Sequence, residues 1–190
     1  MPDVWHTSLV LAHTVGFVLG VGGATVSDVL FFKFLKDLKI SHTESETLDA
    51  VSRVIWLGLV VVIVSGIGLY LMDAERLNDS SKFLTKMVVV AVIAVNGLAL
   101  NLKVSPRVRR ISFEMHHRHV SGELRTLRRI AFALGAVSIV SWYAALFLGA
   151  MRGLPFGATS LLTVYALIVV GAISVSQVAE HLISKKKLRP

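Results

Sequence analysis

The sequence predicts an all-α integral membrane protein: a five-transmembrane-helix bundle with its N-terminus outside and its C-terminus in the cytoplasm. Three observations carry that reading. The 190 residues are 54% hydrophobic and only 17% charged, with a mean hydropathy of +0.70, whereas soluble domains average about 45–50% apolar and about 25% charged. Five stretches approach or exceed the ~20 apolar residues needed to cross about 30 Å of hydrocarbon. Lys and Arg fall overwhelmingly on one side of those stretches. The apolar surplus excludes a soluble enzyme. The absence of cysteine excludes disulfides, thiolate metal sites and Cys nucleophiles. Glycine-rich phosphate loops, HExxH pairs and EF-hand loops are absent as well.

The five segments follow in order. Residues 8–32 carry only His13 and Asp28 as ionisable groups within their apolar run. The preceding Pro2-Asp3-Val4-Trp5-His6 lacks the positive charge of a signal peptide, so the segment reads as a retained helix. Residues 54–72 have no charge, and Thr43 with Glu46 makes a capping-box spacing ahead of them. Residues 87–102 lie between Lys86 and Lys103, include Asn96 and Asn101, and follow the N-cap residues Asp79, Ser80 and Ser81. Pro106 closes that helix. Residues 130–151 and 160–179 are uncharged and are joined by the Gly- and Pro-containing turn at 152–157, with Thr159 or Ser160 as the next cap. Backbone at membrane depth must satisfy its own hydrogen bonds, so all five are helices. No linker or composition shift divides the chain, which reads as one domain, 1–190, with a basic cytoplasmic loop at 103–129.

Orientation follows from charge. The first loop, the third loop and the C-terminal tail hold sixteen Lys and Arg, against Arg76, Lys82, Lys86 and Arg152 on the other side. The basic side faces the cytoplasm of a plasma (inner) membrane. Its partner is the anionic headgroup layer, which accounts for the net charge of +8 without nucleic acid. His116, His117 and His119 sit among arginines on a surface-lying stretch of helical spacing and read as a solvated face.

Ionisable groups in hydrocarbon are costly and invite a functional reading. His13 shares a helix face with His6 and with a stripe of small residues, Gly16, Gly20 and Gly23. That stripe fits either close helix packing or a slot for a flat cofactor with His13 as axial ligand. Lys86 comes at a comparable depth on the third segment. It either snorkels to the interface or serves as a metal-ligating amine. Asp28 falls close in depth to Lys33, Arg53, Glu180 and His181, which predicts an ion-pair cluster. Asn96, Ser138, Ser141 and Gln177 are expected to form interhelical hydrogen bonds. Met72, Met87 and Met151 fall near the outer ends of their helices, on the side of His6; thioether and imidazole together suit Cu(I), with packing filler as the plainer reading.

His13 followed by Gly22-Gly23, then Ser81-Lys82-Phe83-Leu84-Thr85-Lys86, Asn101 and Pro106, resembles the copper-resistance protein D family. The same His-then-Lys order resembles the small helical bacterial protoporphyrinogen oxidases, which are haem-dependent. The resemblance covers about residues 8–106 and implies that His13 and Lys86 hold a cofactor. The leading expectation is therefore binding of b-type haem or a related porphyrin, for electron transfer or porphyrin oxidation, with a homodimer or a membrane redox partner. One alternative is copper or small-ion binding or transport at the outer face through His6, His13, Met72, Met87 and Met151. Another is a non-catalytic structural or assembly subunit whose glycine stripe docks a partner helix.

Overall fold

The computed structural model describes residues 4–35, 42–104, 121–151 and 155–187, and among these every regular element is helical. The elements are α1 (Val4–Leu35), α2 (His42–Met72), the short α3 (Ala74–Asn78), α4 (Ser81–Ala99, continued by a π-helical turn at Leu100–Val104), α5 (Ser121–Ala150) and α6 (Ala158–Lys187). Five of them are long and apolar enough to cross a membrane. All begin before the apolar stretches that announced them. A helix keeps its hydrogen-bond ladder where it leaves the hydrocarbon, and hydropathy does not register that continuation. At α4 the start is set locally, since the Ser80 side chain accepts from the Phe83 amide at 3.3 Å. Lys86 therefore stands inside a regular helix rather than on its flank. The expected loop at 103–129 is helical from Ser121 onwards; Pro106, His116, His117 and His119 lie outside the described residues.

The helices alternate in direction. His13 near the start of α1 bonds to Ser65 near the end of α2. Lys82 at the start of α4 donates from Nζ to the Met151 carbonyl beyond α5 at 2.9 Å. Arg128 early in α5 pairs with Glu180 late in α6. α1 and α2 form a closely packed hairpin, α5 joins that hairpin to α4, and α6 packs on the outside of α4 and α5. Large apolar side chains such as Val18, Leu57, Val95, Phe147 and Leu167 are exposed, as lipid-facing positions require. None of the apolar window of α6 is buried within the chain, which marks it as the peripheral helix.

The centre of the bundle is Trp142 of α5, fully buried, with Phe17 of α1 edge-on at 5.7 Å between ring centroids. The interhelical hydrogen bonds expected from the isolated polar residues are present at three positions. Asn96 Nδ2 donates to the Leu134 carbonyl at 3.0 Å, Gln177 Nε2 to the Arg129 carbonyl at 3.0 Å, and Ser141 shares a 2.7 Å bond with the Tyr165 hydroxyl.

The expected ion-pair cluster around Asp28 is corrected. Glu180, 1% exposed, is held instead by Arg128 Nη2 at 2.5 Å and Arg129 Nε at 3.4 Å from α5. Both arginines stand on α5, the antiparallel neighbour of the helix that carries Glu180. Removing one partner of a buried pair leaves the other charge uncompensated. Glu180→Ala is thus expected to destabilise the α5–α6 pairing by about 3–5 kcal/mol, read as earlier thermal unfolding in detergent. Unchanged unfolding would show that Arg128 finds water or lipid at no cost.

Candidate cofactor site

A cavity of about 440 Å³ opens between α1, α2 and α4 at the end of the bundle where α1 begins. Its walls are mostly apolar, and His13 and Lys86 both line it. Tyr70 stacks on Phe83, rings 5.5 Å apart and nearly parallel, and its hydroxyl donates to Asn78 Oδ1 at 3.2 Å; all three residues also line the cavity.

The His13 ring is held from one side. Nδ1 lies 3.0 Å from Ser65 Oγ, and Ser65 in turn donates to the Val61 carbonyl at 2.5 Å. A serine hydroxyl has one proton. With that proton committed to the backbone, Ser65 accepts from His13, which assigns the hydrogen of a neutral ring to Nδ1 and leaves the Nε2 lone pair unspent. Gly66 makes room beside the ring: a Cβ there would lie 3.4 Å from His13 Cε1. The sequence patterns did not single out Ser65, although it is the only Ser or Thr between residues 54 and 72.

Lys86 lies between helices. Its Nζ is 5.9 Å from the centroid of the Phe17 ring on α1, and Gly149 of α5 leaves space for it, since a Cβ there would be 3.7 Å away. Among the described residues no hydrogen bond or ion pair holds the amine. The side chain runs across the inside of the bundle instead of reaching out to the interface.

The glycine lane is a correction to the expected slot. A Cβ at Gly16 would come within 2.9 Å of the Gly58 carbonyl, one at Gly20 would collide with the Trp142 ring, and one at Gly23 would meet Ile55 at 2.7 Å. The space those glycines leave is filled by α2 and by Trp142, so it receives neither a flat cofactor nor a partner helix. The open volume lies on the other flank of His13, towards α4.

Of the groups expected to hold copper, His13 and Met87 line this cavity. His6, Met72 and Met151 are exposed and line neither cavity that the structure contains at this seam. No three His, Asp or Glu side chains among the described residues are placed to hold a metal ion.

Comparison with protein-family models, with curated proteins and with solved structures finds no match to this chain. The fold defines an all-helical protein with five helices able to span a membrane. Within it, the most developed site is the His13–Lys86 cavity.

Proposed function

We propose that the chain is an integral protein of the plasma (inner) membrane that binds a b-type haem or a related porphyrin in the His13–Lys86 cavity. His13 would hold the group through Nε2, and Lys86 would be the second residue to hold it. The observation that carries the reading is the Ser65 bond, because a neutral imidazole oriented through Nδ1–H is the form in which histidine ligates a metal. The cavity volume falls within the range of about 300–1,000 Å³ usual for small-molecule and cofactor sites. When bound, haem supplies one-electron chemistry, suited to electron transfer or porphyrin oxidation. The chain's own share is narrower: His13 and Lys86 hold the group, Ser65 fixes the ring, and the apolar walls exclude water. With the basic loops facing the cytoplasm and its anionic headgroups, the cavity would lie in the outer half of the membrane.

A second reading, copper or another small ion, is supported only by Met87 joining His13 in the cavity. Metal analysis after copper-replete growth separates the two, since bound copper without a porphyrin spectrum would favour the ion.

The test is an absorption spectrum of the detergent-solubilised protein supplied with haem, where a Soret band supports the proposal and a colourless protein contradicts it. Two variants refine it. Ser65→Ala is expected to weaken haem retention by about 10–100-fold, as loss of a supporting hydrogen bond does at other metal ligands. Lys86→Met is expected to keep the Soret band while moving its position, because it exchanges the second ligand; an unmoved band removes Lys86 from the coordination sphere.

A further inference from the structure

A second cavity, of about 160 Å³, lies at the other end of the seam between α2 and α4. Leu59 and Ile93 close its inner end, while Val62 and Val90 close the inner end of the His13 cavity. Each pair is three residues apart on its helix, about 4.5 Å along the axis. One apolar turn separates the two cavities, so they are distinct sites.

The second cavity brings together Asp28 of α1, Asp49 of α2 and three aromatic rings, Phe31, Trp56 and Trp142. Asp28 is the informative group. Its Oδ1 lies against α5 at Gly135, where a Cβ would come within 3.2 Å. Among the described residues it has no hydrogen bond or ion pair. The strong cations expected beside it, Lys33 and Arg53, are exposed, and the nearby Arg128 and Arg129 of α5 serve Glu180. A carboxylate at this depth calls for a compensating charge, and none of the described side chains is paired with it.

The walls discriminate among cations. A hard ion such as Ca²⁺ takes six to eight oxygen ligands, and no three acidic or His side chains are grouped here among the described residues. Aromatic faces beside a carboxylate suit an ammonium ion carrying carbon, which gains from the rings as well as from the charge. The volume of about 160 Å³ admits a small organic cation.

We propose that this cavity is a binding site for a small organic ammonium ion, with Asp28 as its counter-charge and Trp56 and Trp142 as its aromatic wall. The proposal does not depend on haem. Isothermal titration of the full-length protein in detergent with ethylammonium chloride, against NaCl and KCl at equal ionic strength, tests it. Saturable heat with ethylammonium alone is expected, with affinity reduced at least tenfold in Asp28→Asn and unchanged in Ser65→Ala. No saturable heat, equal heat from Na⁺ or K⁺, or full affinity in Asp28→Asn would overturn it. Should Asp28→Asn fail to fold, Trp56→Leu decides: weaker ethylammonium binding supports the site, and undiminished binding removes it.

Discussion

His13→Ala is expected to abolish haem binding while leaving the five-helix bundle assembled. The substitution removes the nitrogen proposed to hold the haem, Nε2 of a ring whose Nδ1 is tied to Ser65. Lys86 remains, but a single flexible amine does not define the ligand geometry that the fixed imidazole does. Haem affinity is expected to fall by on the order of 100-fold or more, which is about 2.7 kcal/mol. The packing loss is small, because His13 is only partly buried and Ser65 keeps its bond to the Val61 carbonyl. Haem titration followed at the Soret maximum, alongside thermal unfolding of the unliganded protein, reads the two effects separately. A variant that binds haem as the parent does would remove His13 from the site.

Gly58→Val is expected to have the largest effect on the fold itself. A Cβ at Gly58 would stand 2.7 Å from both the Gly16 carbonyl oxygen and the Gly20 amide nitrogen. Those are backbone atoms of α1, which cannot rotate aside as a side-chain end can. The α1–α2 hairpin would have to separate, and the cost should reach or exceed the upper end of the 1–3 kcal/mol typical of overpacking, about 3 kcal/mol. The separation would also pull His13 from Ser65, so haem binding should fall with stability. Gly22→Ala is the matched control. Nothing lies within 4 Å of a Cβ there, and the helix gains about 1 kcal/mol from losing an interior glycine. Thermal unfolding of both variants in one detergent checks the contrast; equal melting would mean that the hairpin tolerates an added side chain.

These two expectations also mark what the sequence made legible. The five spans could be read because about 20 apolar residues in succession are too many for a water-soluble helix to bury and just enough to cross a bilayer. The helix ends could not, since Ser121–Arg129, the first part of α5, is too charged to register in an apolar span. His13 and Lys86 could be singled out as ionisable groups in apolar runs. The meaning of Gly16, Gly20 and Gly23 could not, because a stripe of small residues looks the same whether it faces a ligand or a neighbour. Its partners, Gly58, Ile55 and Trp142, are 32 or more residues away in the chain. A similar separation hid the pairing of Glu180 with Arg128. Ser65 was within reach as a lone hydroxyl in an apolar helix, yet its role appears only once α1 is laid beside α2.

The most direct trial of the central claim is a haem titration of the purified wild-type protein in detergent, followed by absorbance. Saturation at one haem per chain with a Soret band, lost in His13→Ala, is the expected result. Absorbance that rises without saturation, or that saturates alike in both proteins, would contradict the assignment of His13 as the ligand.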